Sequence, residues 1–212
     1  MQKFLKIVIG LVLFPFAVIS VISFFLTIKS VPWLHSPHYL LLLGFCLYTV
    51  IFSVIKGESF AYVFGHEAVH MISSWLCGGR IISIFVSNKK GNVKTTKDNF
   101  FITLAPYFLP FYGIVLTLLY CFISIFAPVR RYIPVFIFLC GYSLAHHICF
   151  TIHYLSAGQA DIKSQGRIFS FSLISLANII IFVILLDIFI PAFPKRLFWH
   201  YMSQGTDTLF FR

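Results

Sequence analysis

Long runs of apolar residues alternate along this chain with short polar breaks, and the runs are too evenly apolar for the one-sided helices of a soluble core. The first covers residues 7–28, with Pro15 as its single irregularity, which a membrane helix tolerates as a kink. Lys29-Ser30-Val31-Pro32-Trp33 closes it as an interfacial turn anchored by Trp33. A second run at 39–55 stops at Lys56-Gly57-Glu58-Ser59. A third at 60–77 stops at Cys77-Gly78-Gly79-Arg80, where glycine ends a helix and Arg80 suits the negative end of its dipole. One broken helix from Tyr39 onward fits the same pattern.

The pattern changes over residues 81–98, the least hydrophobic part of the chain. Two β-branched runs flank Asn88-Lys89-Lys90-Gly91-Asn92, which predicts a β-hairpin with an exposed strand edge. A fourth apolar run at 100–127 contains Ala105-Pro106-Tyr107-Phe108-Leu109-Pro110, whose two prolines open the local backbone. Arg130 and Arg131 precede a fifth run at 132–155, and a polar stretch from Ser156 to Lys163 precedes a sixth at 168–193. The tail from Pro194 reads as interfacial. These elements predict an all-α polytopic membrane protein of about six spans with one short hairpin, a single integral membrane domain over residues 1–212.

Composition supports that class. The 212 residues are 59% hydrophobic and 10% charged, with a mean hydropathy of +0.94, which leaves too little polar surface for an ordinary soluble domain. Sixteen basic residues against six acidic ones give a net charge of +10. The basic residues lie between and beside the apolar runs, where they anchor helix ends and meet anionic headgroups, so the expected partner is the lipid bilayer and no nucleic acid. The five cysteines are odd in number and without CxxC spacing, as buried thiols are. Lys3 and Lys6 before the first run resemble a signal peptide, but the run is too long and has no small-residue cleavage site, which predicts a retained span. Basic residues on the two sides nearly balance; the cluster around the hairpin favours a cytoplasmic loop.

Gly65-His66-Glu67-Ala68-Val69-His70 carries the chemistry. On a helix His66 and His70 are one turn apart on one face, so both imidazoles can reach one Zn2+ while Glu67 stands beside the open position as the catalytic acid/base. A catalytic zinc needs a third protein ligand. Leu76 stands where one family of such sites has a histidine, and no glutamate follows Glu67. The remaining candidates are Asp98, Asp161, Asp187, Asp207 and the histidines of the fifth run. Asp98 reads as a solvated charge or a helix cap, and Asp187 as a partner for Lys195 or Arg196. Asp161, at a break between two spans, is favoured as the third metal ligand, with His153 as the alternative. His146 and His153 share a helical face with Cys149 between them and could orient Asp161 or a water.

Taken together, the His66-Glu67-Ala68-Val69-His70 motif within an apolar run, the Gly78-Gly79-Arg80 step with its β-prone loop, the proline-containing fourth run and a lone late aspartate resemble the site-2 protease family of intramembrane zinc metalloproteases. In that family the aspartate usually stands in an Asp-Gly step; here Ile162 follows Asp161 and Gly158 precedes it, as in a divergent, compact member without a PDZ or regulatory domain. The resemblance implies hydrolysis of a peptide bond in or near the transmembrane segment of a membrane-protein substrate. The unwound substrate would lie along the hairpin edge at Asn92 and Val93. Two readings compete: a membrane zinc-binding or transport protein using His66, His70, His146 and His153, and an inactive scaffold that binds transmembrane helices.

Overall fold

The computed structural model describes residues 2–33, 38–55, 60–88, 90–190 and 193–210. The polar break at 56–59 and Lys89 lie outside the described residues. The chain divides into two compact units, one formed by residues 34–157 and the other by residues 1–33 with 158–212.

In the first unit, α2 (His38–Val54) and α6 (Ile133–Ala157) form the most extensive helix pair. Two glycines set their approach. A Cβ on Gly44 would overlap the carbonyl of Phe138 on α6, and a Cβ on Gly141 would overlap the carbonyl of Leu41 on α2. Each helix offers a glycine to the other's backbone, the small-residue packing that brings apolar helices together where lipid supplies no hydrophobic drive.

Helix α3 (Phe60–Leu76) carries the His-Glu-His motif. Gly78, at φ 71°, ends it: its N–H donates to Trp75 O and that of Gly79 to Ser74 O, both at 2.8 Å, the paired bonds of a Schellman cap. The cation at this end is Lys97, whose Nζ donates to Cys77 O at 2.7 Å, and not the expected Arg80. Strands β1 (Ile81–Val86) and β2 (Gly91–Thr95) pair antiparallel, with Ile84 opposite Val93 and Phe85 opposite Asn92. The hairpin predicted from the β-branched runs is therefore present. It packs against α3.

The fourth apolar run is not one straight helix. Helix α4 (Phe100–Leu104) passes into a tight turn at Ala105–Tyr107, and α5 (Phe111–Phe126) leaves at 79° to it. Pro106 and Pro110 interrupt the amide ladder on both sides of this bend. Asn99 caps α4, its Oδ1 accepting from Ile102 N–H at 2.9 Å. Asp98 instead accepts from the Thr103 hydroxyl.

In the second unit, α1 (Gln2–Lys29) packs on α8 (Arg167–Phe189). The buried face of α1 includes Gly10, Ala17, Ser20, Ser23 and Thr27, small residues that let the helices close. A Cβ on Gly10 would lie 2.7 Å from Phe169 N, and Ser172 Oγ donates to Gly10 O. The hydroxyls of Ser20 and Thr27 return to carbonyls of their own helix, so both are satisfied within α1. A short helix α7 (Ala160–Gln165) follows Gly158, at φ 67°, and α9 (Lys195–Phe210) follows α8. Lys195 and Asp187 form the predicted ion pair at 2.7 Å.

Three helices are long and apolar enough to cross a membrane: Lys3–Lys29, Val129–Ala157 and Arg167–Phe189, or up to four spans if the bent pair Phe100–Tyr107 and Phe111–Phe126 counts as one. Among the described residues this falls short of the six expected. The reason is length: α2 and α3 have 17 residues each, below the roughly 20 that a spanning helix needs when it crosses alone.

Candidate metal centre

On α3 the side chains of His66 and His70 turn toward each other, with Nε2 to Nε2 at 3.2 Å. Their other nitrogens are held. His70 Nδ1 lies 2.8 Å from the carbonyl oxygen of Ile102. A carbonyl only accepts, so Nδ1 carries the hydrogen and the neutral ring presents a bare lone pair at Nε2. His66 Nδ1 lies 3.0 Å from Tyr62 Oη, one helical turn earlier. The Tyr107 ring stands nearly perpendicular to His66, 5.2 Å between centroids, and Tyr107 is fully buried. Both imidazoles are thus fixed in rotation, and His70 in proton placement, an outer-shell arrangement typical of ligating histidines.

The pair fits a tetrahedral metal ion. Two nitrogens bound at about 2.0–2.1 Å with a tetrahedral angle stand about 3.3 Å apart, against 3.2 Å here. His66 and His70 are each half-buried and offer two of the ligand atoms that a metal ion could take. Two imidazole nitrogens are donors that suit zinc and other borderline divalent ions. Asp161 belongs to the first turn of α7, just after the glycine that ends α6. Among the described residues of the same unit, neither Asp98 nor His146 nor His153 joins the pair in a metal-holding group.

Glu67 is buried, 6% exposed, beside the two histidines on α3. Gly91, the first residue of β2, lies directly on it: a Cβ at Gly91 would overlap Glu67 Cγ and Oε1. The hairpin therefore covers the acid with backbone, and only glycine leaves room for the carboxylate there. Asn92 is exposed and Val93 half-buried on the same strand.

The histidines of α6 separate. His146 lies among Tyr48, Tyr62, Tyr112 and Phe150, while His153 is exposed and stacks edge-on against Phe52 and Tyr154. Sequence reasoning missed Tyr62, the Ile102 carbonyl and Gly91. Tyr62 was detectable, since it precedes His66 by one turn; the other two come from elements distant in sequence. No family model matches the chain, and neither a curated protein nor a solved structure is found to be similar to it.

Proposed function

We propose that this chain is a multi-pass membrane zinc metalloprotease of the site-2 kind, which hydrolyses a peptide bond in or near the transmembrane segment of a membrane-protein substrate. The observation that carries the reading is the His66–His70 pair, with Nε2 atoms face to face at 3.2 Å and each Nδ1 engaged by a neighbour. With Nδ1–H held by the Ile102 carbonyl, His70 Nε2 offers its lone pair on the side that faces His66 Nε2, where a metal ion could be taken between the two rings. Asp161, the acid at the break between two apolar runs, is the third ligand in this reading.

Zinc bound there would polarise a peptide carbonyl and lower the pKa of water toward about 7. The protein's own residues do the rest. Tyr62 and the Ile102 carbonyl hold the imidazoles in register. Glu67, buried next to them, takes a proton from the attacking water onto a carboxylate oxygen and delivers it to the leaving amide nitrogen. Gly91 shields that carboxylate and fixes its position. A helical substrate hides its carbonyls in its own hydrogen bonds, so the scissile stretch must be extended first; the β2 segment at Asn92 and Val93 is where an extended strand would be held.

The test is Glu67→Gln, which keeps size and removes the base. With a quenched-fluorescence peptide bearing one apolar segment of about 20 residues, we expect cleavage by the zinc-loaded wild type and a loss of at least about 10²-fold in the variant, at equal zinc content. Equal cleavage by both proteins would refute the protease reading. Zinc flux in proteoliposomes that is indifferent to Glu67 would favour a transporter instead.

A further inference from the structure

Among the described residues two buried side-chain atoms lack a hydrogen-bond partner: Ser74 Oγ and His146 Nε2. The serine is easily explained, because a hydroxyl can turn onto a carbonyl of its own helix. An imidazole cannot do this without moving its whole ring. The His146 ring is fixed by Phe150 at 5.0 Å and by Tyr48 and Tyr112 at 5.2 Å. Aromatic packing alone would be served by phenylalanine. A nitrogen kept there without a partner is a cost to the folded protein that calls for a use.

Its position suggests the use. His146 lines the small cavity, about 20 Å³, that also contains His66, Tyr62 and Tyr112, room for about one water. It also lines a larger apolar groove of about 740 Å³ between α2, α3, α5 and α6. Cavity and groove share three residues, Tyr112, Ser143 and His146. Two of these are committed: the Tyr112 hydroxyl donates to Ala61 O and the Ser143 hydroxyl to Cys140 O. His146 Nε2 is the polar atom left over where the apolar groove meets the cavity of His66.

We propose that His146 Nε2–H donates a hydrogen bond to a backbone carbonyl oxygen of the substrate, next to the bond that is cut. The inference rests on the protease reading above. The groove's occupant is then the apolar segment of that substrate, locally unwound. A lipid acyl chain would fill the same apolar walls but has no acceptor for Nε2. An extended apolar peptide has both the side chains for the groove and a freed carbonyl for the histidine.

The experiment measures binding and cleavage separately. The same quenched peptide is bound to the Glu67→Gln protein with His146, with His146→Phe or with His146→Gln, and is cleaved by the corresponding variants on the wild-type background. We expect His146→Phe to weaken binding and lower kcat/KM by about tenfold or more, and His146→Gln, which retains a donor, to recover most of the loss. Zinc content should equal that of wild type, and the His146→Phe melting temperature should be unchanged or higher. Unaltered binding and kcat/KM in His146→Phe would overturn the proposal. So would loss of zinc, which would move His146 to the metal, or a lower melting temperature, which would make its role structural. Failure of the wild type to cleave the peptide defeats the protease reading, whereas cleavage that ignores His146 defeats only this inference.

Discussion

Helices α3 and α6 both carry histidines through apolar surroundings, yet they put them to different ends. On α3, four residues separate His66 from His70, both Nδ1 atoms are occupied and the Nε2 atoms face each other. On α6, seven residues separate His146 from His153; one is enclosed by aromatic rings with an unpartnered nitrogen, the other exposed beside Phe52. Helical spacing alone brings neither pair to a metal. What distinguishes α3 is the outer shell: a tyrosine one turn back and a carbonyl from the bend at the end of α4 turn two histidines into a preset chelate. His146 and His153 are left to packing and, in our proposal, His146 to the substrate.

Variants can break or sharpen this contrast. The largest effect expected is at Gly91→Ala, whose new methyl group would collide with Glu67 Cγ and Oε1. Displacing the base by about 1 Å should lower kcat by about 10²-fold while bound zinc and melting temperature stay close to wild type. Steady-state kinetics with zinc analysis would show it; normal turnover would mean that the acid does not act from its observed position. Tyr62→Phe comes next. Removing the hydroxyl at His66 Nδ1 should weaken zinc binding about tenfold or more, as loss of an outer-shell partner does, measured by competition with a chelator. The smallest effect is at His153→Ala, for which zinc affinity and kcat/KM should remain within about twofold of wild type, since its ring touches only Phe52 and Tyr154 among the described rings. A large loss there would erase the distinction between the two helices.

Much of the first helix of this contrast was legible in the sequence. The motif spacing placed both imidazoles on one face, the Gly78-Gly79 step announced the helix end, and the β-branched runs announced the hairpin. Each is a local signal, carried by residues a few positions apart. The opposite holds for what the sequence concealed. The chain bends by 79° between α4 and α5, where the apolar pattern reads as one continuous run, because apolar periodicity is blind to backbone direction. Asn99 caps α4 although Asp98 is the neighbouring candidate; one residue of register decides which side chain reaches the free N–H groups. Gly91 looks like an ordinary turn glycine, and only the pairing of Val86 with Gly91 over α3 reveals that it makes room for Glu67. The Gly44 and Gly141 contacts of α2 and α6 likewise depend on which helices meet.

Asp161 stands out in the sequence because it lies at a break between apolar runs, and the proposed zinc centre depends on it as third ligand. The most direct measurement is the zinc-to-protein ratio of the purified wild type and of Asp161→Ala, determined after dialysis against a weak chelator. The account predicts about one zinc per chain in wild type, as one three-ligand site implies, and a ratio near zero in the variant. Full zinc retention by Asp161→Ala would contradict the proposal that Asp161 is the third ligand, and a wild type that binds no zinc would contradict the metalloprotease altogether.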